Sequence, residues 1–236
     1  MRNLFDEYCV RITNEYNELG HKLGWSFLCT PRATLNKNSS IALLTMNPGG
    51  KGYAPSVKSY EDGNVYLNEI WDKNKGFEPI QLQIQALFRH LSKEIPYYNN
   101  RHKTLMEESL VSYFIPFRSK SIKKLIEPYK SRVFAYNLWK NILQNVDLKL
   151  IICIDKTTFH NINLIYKNEY EYTLLQHETM SSGWGRTNLE FNKLKNNNKQ
   201  IVIARFPHLS RYKLFNRKAS EQQLVGFIKR ITSVFK

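Results

Sequence analysis

Short, continuous apolar runs recur along this chain, each closed by turn residues and separated from the next by a stretch of helical periodicity. Residues 41–46 read Ile-Ala-Leu-Leu-Thr-Met and stop at Asn47-Pro48-Gly49-Gly50, and residues 109–115 stop at Pro116-Phe117-Arg118-Ser119. Residues 148–154 and 200–205 repeat the pattern, the last ending in Phe206-Pro207-His208. Apolar runs of this length, without polar alternation, belong to strands covered on both faces, which is how parallel strands sit between helices. The intervening segments supply those helices. Residues 3–23 carry Leu4, Tyr8, Ile12, Tyr16 and Leu19 at helical spacing, with Gly20 and Gly24 as stop signals. Pro79 opens a helix through residue 95, and helical patterns follow at 121–127, 131–146 and 157–166, the second burying Val133, Leu138, Trp139, Ile142 and Leu143. A last helix starts at Ser220, where Gln223 completes a capping box, and turns Leu224, Phe227, Ile228, Ile231 and Phe235 inward. Residues 171–177 read as an edge strand, and residues 51–76 as a long loop with room for a short helix. The prediction is an α/β protein of three layers, α/β/α, with a central, mostly parallel sheet of about four strands. One domain is expected over residues 1–236, with the helix of residues 1–24 packed on it.

Composition narrows the partner. The chain holds 35 Lys+Arg against 20 Asp+Glu, a net charge of +15, which concentrates polyanions near its surface. Arg186, Arg205, Arg211 and Arg217 gather near the last strand end, so nucleic acid is the expected partner. No segment approaches the roughly 20 apolar residues of a membrane helix, and the N-terminus lacks a signal-peptide pattern, so no membrane and a cytoplasmic location are expected. Cys9, Cys29 and Cys153 are widely spaced with no CxxC pair, which reads as three reduced, buried thiols.

In an open parallel sheet the ligand lies beyond the carboxyl ends of the strands. That rule singles out the loops at 47–51, 116–119 and 207–214. The first sets one amide, Asn47, beside glycines that permit close backbone approach; the last sets His208, Ser210, Arg211 and Tyr212 on one short turn. Taken singly, an Asn-Pro-Gly is a turn and a lone His is structural more often than catalytic.

In order and strand context the two segments together resemble the uracil-DNA glycosylase superfamily, over residues 24–215. Met46-Asn47-Pro48-Gly49 is similar to the superfamily's first motif, in the Asn form of the mismatch-specific thymine/uracil branch, and His208-Leu209-Ser210-Arg211-Tyr212 matches part of its His-Pro-Ser-Pro-Leu motif. Residues 111–119 look like its second-strand segment. The resemblance implies that Asn47 holds water at the sugar C1′ or stabilises the positive charge developing there. An amide takes no proton at neutral pH, so the role is positioning and electrostatics. His208 would donate a hydrogen bond to the departing base. Met46, Pro48, Gly49, Tyr113 and Phe114 would shape the base pocket, and Tyr53 or Tyr60 would stack on the extruded base. Trp184 would add a ring for a substituent on it or pack its own loop. Gly50, Lys51, Arg118, Ser119, Arg186, Ser210, Arg211 and Lys213 would meet the DNA, with Ser210 on a phosphate and Tyr212 as the wedge that fills the vacated stack.

The second motif departs from the pattern at Leu209, Arg211 and Tyr212, and Tyr113 stands where uracil-specific relatives carry a base-reading Asn. A damaged or modified pyrimidine, including a modified base of phage DNA, is therefore open as the base removed, in repair or in antiviral defence. The expected activity is that of a monofunctional DNA glycosylase, a monomer that flips the base out and needs no cofactor or metal. The alternative is a catalytically inactive DNA-binding module of the same fold. A metal-dependent nuclease fits less well, because Asp62, Glu69, Asp72, Glu78 and Asp155 are scattered.

Overall fold

A computed structural model describes residues 4–36, 38–50, 52–71, 74, 76–197 and 199–236. The expected strands form where the apolar runs predict them. They are β1 (Ile41–Thr45), β2 (Leu110–Tyr113), β3 (Leu150–Cys153) and β6 (Lys199–Arg205), and they pair in parallel in the order β2-β1-β3-β6. The edge strand expected at 171–177 forms as β4 (Thr173–Ser181), and with a further strand, β5 (Asn188–Asn196), it continues the sheet from β6 as an antiparallel hairpin. The α/β class is as expected, but the sheet has six strands rather than about four. The sequence hides β5 because its apolar residues Leu189, Phe191 and Leu194 break strict alternation among Asn and Lys, residues of low strand propensity.

The helices are α1 (Leu4–Glu18), α2 (Val65–Asn68), α3 (Pro79–Glu94), α4 (His102–Glu108), α5 (Pro128–Leu143), α6 (Lys156–Glu169) and α7 (Lys218–Ile231). Alternate residues of each buried strand feed two separate cores. Ala42 and Leu44 pack with α1, α5 and α6, whereas Ile41 and Leu43 pack with α3, α4 and α7. Cys9, Cys29 and Cys153 are buried free thiols. Three local readings are corrected. Residues 121–127 form no α-helix, only a 3₁₀ turn at Ile122–Lys124. Val133 faces outward, 43% exposed. Ser220 does not cap α7, which starts two residues earlier behind Arg217, and its buried hydroxyl has no hydrogen-bond partner.

This wiring decides which loops meet. The chain leaves β1 toward α2 and α3 and leaves β6 toward α7, so both exits turn to the same face, flanking the exit of β3, which turns to the other. Helix α3 ties the two exits together with glutamines. Gln83 exchanges two hydrogen bonds with the backbone of Phe215 (2.9 and 3.1 Å), and Gln81 and Gln85 donate to the carbonyls of Glu69 (2.7 Å) and Tyr66 (2.8 Å). A buried amide that satisfies buried backbone groups costs several times its net worth to remove.

Beneath the β2 exit, His21 is 6% exposed, stacks on Phe117 at 4.3 Å and shares a 3.1 Å hydrogen bond with Ser131. Burial pulls its imidazole down to about 4. The unfolded chain then binds a proton below the ordinary histidine range that the folded chain refuses, so stability falls as pH drops through 6.5 and levels off near 4. Denaturant titrations of wild type and His21→Gln should show the wild type losing ~2 kcal/mol more than the variant between pH 7 and pH 4. A difference that does not change with pH would refute the assignment.

Candidate functional site

Asn47 leaves the end of β1 against the chain leaving β2. The ladder continues into the loops through Phe114 N to Thr45 O (2.7 Å), Ile115 N to Met46 O (2.8 Å) and Ser119 N to Pro48 O (3.1 Å). The Asn47 side-chain nitrogen faces the carbonyls of Pro48 (3.1 Å) and Phe117 (3.2 Å) and the hydroxyl of Ser119 (2.9 Å). Both carbonyls can only accept, and the Ser119 hydroxyl spends its proton on the Ser121 carbonyl at 2.9 Å, so the NH₂ end must lie here. The carbonyl end, Oδ1, has no protein partner among the described residues and points out of the loop as a fixed acceptor. Arg118 reinforces the loop by donating to the Gly49 carbonyl. Gly50 sits at φ +132°, a conformation that selects glycine, and packs against that guanidinium.

His208 leaves the end of β6. Leu209 and Leu214 are fully buried and pin the turn, while the imidazole stays exposed. Its Nδ1 lies 2.8 Å from the Ser210 hydroxyl, which orients the ring and leaves Nε2 toward solvent. Parallel strands are roughly 4.8 Å apart, so the exits carrying Asn47 and His208, with β3 between them, are separated by about 10 Å. In that gap stands Asp155 at the exit of β3. It caps α6 through the amide and hydroxyl of Thr158 (2.8 and 2.6 Å), burial raises its carboxyl above the usual range, and His208 is close enough to act against that rise. Sequence reading placed Asp155 only among scattered carboxylates. Its position directly after an apolar strand was the available signal. Among the described residues no three His, Cys, Asp or Glu side chains are grouped to hold a metal.

The β4–β5 turn reaches the same rim. Residue Glu190 of β5 pairs with Arg205, the last residue of β6, so the turn lies beside the β6 exit. There Arg217 stacks on Trp184 at 3.9 Å, Trp184 meets Tyr212 edge-on at 6.4 Å, and Arg211 lies over Tyr212 at 5.4 Å. Gly183 is required at this turn. It has φ +73°, and a Cβ would fall 2.2 Å from the carbonyl of Ala219. Arg205, by contrast, is taken by Glu190 at 2.7 Å and does not join the exposed cations.

The remaining predicted residues divide. Gly49, Gly50, Arg186, Arg211 and Lys213 are exposed at the rim, and Met46, Ser210, Tyr212 and Trp184 are half-buried there, whereas Pro48 is buried within its loop. Tyr53 is 71% exposed, and Tyr60 is half-buried with its backbone on Thr30. Phe114 is a correction. It is fully buried, its carbonyl accepts from Trp139 at 2.9 Å, and it belongs to the core rather than to a pocket. Ser119 is another, being 2% exposed and engaged with Asn47, so it positions that amide and does not meet a backbone phosphate. Tyr113 turns toward buried Cys29 and Tyr66, and burial, then those two neighbours, drives its phenol pKa well up. Thr45, on β1, lies close to Tyr66, and its buried hydroxyl has no hydrogen-bond partner of good geometry among the described residues. Lys51 lies outside the described residues, as does Asp72. Grooves of about 650 and 740 Å³ lie between α1 and α5 and at the opposite rim, and neither includes Asn47 or His208. No protein-family model matches the chain, and no curated protein matches it.

These placements separate core from surface by measurement. Phe114→Ala should cost about 3–5 kcal/mol of unfolding free energy, while Tyr53→Ala should stay within about 0.5 kcal/mol of wild type. Equal effects in a denaturant titration would contradict the assignment of Phe114 to the core.

Proposed function

We propose that this protein is a monofunctional DNA glycosylase of the uracil-DNA glycosylase type, three-layered like that superfamily, acting on a flipped-out damaged or modified pyrimidine and leaving an abasic site. The observation that carries the reading is the fixed amide of Asn47, its oxygen turned outward on the rim and face that also carry His208. Phosphodiester DNA suits the net charge of +15.

Hydrolysis breaks the bond between C1′ and the base nitrogen, with the electron pair leaving on the base, while a water oxygen bonds to C1′ and loses a proton that passes through solvent to neutralise the departed base. Positive charge grows on the sugar and negative charge on the base. Asn47 Oδ1 would accept a hydrogen bond from the water and hold it at C1′, or present its dipole to the sugar cation. Because its NH₂ is held by acceptors on three sides, the dipole needs no reorganisation when charge develops. His208 would donate from Nε2 to the departing base. When Ser210 donates to Nδ1, the ring proton resides on Nε2, which makes it that donor. Ser119 acts through Asn47 as a positioning residue.

The test is mass spectrometry of bases released from uracil-containing, mismatched and phage-modified DNA. Asn47→Ala and His208→Ala should each slow release by roughly 10²–10³-fold, with DNA affinity retained. Wild type that binds these DNAs but frees no base from any of them would leave the inactive binding module as the reading.

A further inference from the structure

The β4–β5 hairpin extends the sheet beyond the four parallel strands, and its turn lands on the rim beside His208. We infer that this turn and the chain at 211–217 form a clamp for the phosphodiester backbone of a polynucleotide, in which Trp184 and Tyr212 hold the guanidiniums of Arg217 and Arg211 in place. The inference rests on the DNA reading above and adds to it the element that grips the strand.

Stacking explains the arrangement. A guanidinium lying flat on a ring is attracted through its face, while its N–H donors point outward in the plane and stay free. The guanidinium of Arg217 lies 3.9 Å from the Trp184 ring centroid and that of Arg211 5.4 Å from the Tyr212 ring centroid, both within cation–π range, and neither side chain makes a hydrogen bond or ion pair with another described residue. Their donors are therefore available, and the rings reduce the rotamer freedom that would be lost on binding. A planar fork with free in-plane donors fits two oxygens of one phosphate. Arg186 and Lys213 are exposed on the same two segments and add positive charge, while the carboxylate of Glu190 is spent on Arg205. The face of Trp184 covered by Arg217 is not open to a base. Two contacts anchor the turn. Gly183 packs on the first turn of α7, and Ser182 bonds Thr187 across the hairpin (backbone N to O, 3.0 Å).

The test measures how the affinity of the full-length protein for a short fluorescent duplex of unmodified bases depends on salt. Substituting Arg211→Gln with Arg217→Gln should reduce the slope of log affinity against log salt by about 2, one unit per lost phosphate contact. Lys103→Gln with Lys195→Gln, the same charge change made at exposed positions away from this turn, should leave the slope at the wild-type value. Arg211→Lys with Arg217→Lys keeps the charge but lacks the stacked fork, so the slope should return while affinity stays below wild type. An unchanged slope in the Gln pair, with wild-type thermal unfolding, would overturn the clamp, as would wild-type affinity in the Lys pair. Competition by inorganic phosphate beyond that of chloride at equal ionic strength would also overturn it, by showing a free-phosphate site. The glycosylase reading fails separately. Loss of slope without base release keeps the clamp and removes the enzyme, and base release with an unchanged slope does the reverse.

Discussion

The parallel register across β1, β3 and β6 is the constraint on which the rim depends. Leu44 pairs with Cys153 and Cys153 with Arg205, so the three strands end level and release Asn47, Asp155 and His208 within a few residues of a common line. A slip of one residue in any of the three would invert its side chains between the two cores. The buried runs forbid this, because Ile41 and Leu43 pack with α3 and α7 while Ala42 and Leu44 pack with α1 and α5.

Level strand ends alone do not make a stiff rim, since loops beyond a sheet carry backbone groups without ladder partners. Here side-chain amides supply the missing partners. Asn47 ties the β1 exit to the β2 exit, and Gln83 ties the β6 exit to α3. Gln81 and Gln85 fasten the segment around α2 to the same helix. Gln81 and Gln83 each donate and accept, so one side chain answers two unlike demands where an ammonium, which only donates, would leave one unmet. The same economy explains Asn47 itself, whose nitrogen is consumed by structure and whose oxygen is left for a ligand.

Much of this was legible from the residues alone. Four of the strands, the principal helices, the burial of the cysteines and the placement of Asn47 and His208 at strand exits follow from apolar runs that end in Pro, Gly or Asn. Three things were not. The hairpin strand β5 owes its state to pairing with β6 on one side and β4 on the other. The inward turn of Phe114 and Ser119 depends on Trp139 and Asn47, which are distant in sequence. The stack of Arg217, Trp184, Tyr212 and Arg211 unites a hairpin turn with the chain entering α7.

The sequence by itself determined the α/β alternation, the identity of the buried strands and the basic surface, because periodicity and charge are local properties readable along the chain. Only the tertiary structure decided which end of the Asn47 amide is free, which aromatic rings are core and which cations remain unpaired. Those outcomes depend on hydrogen-bond and stacking partners brought together by folding, and partner choice has no signature in either residue taken alone.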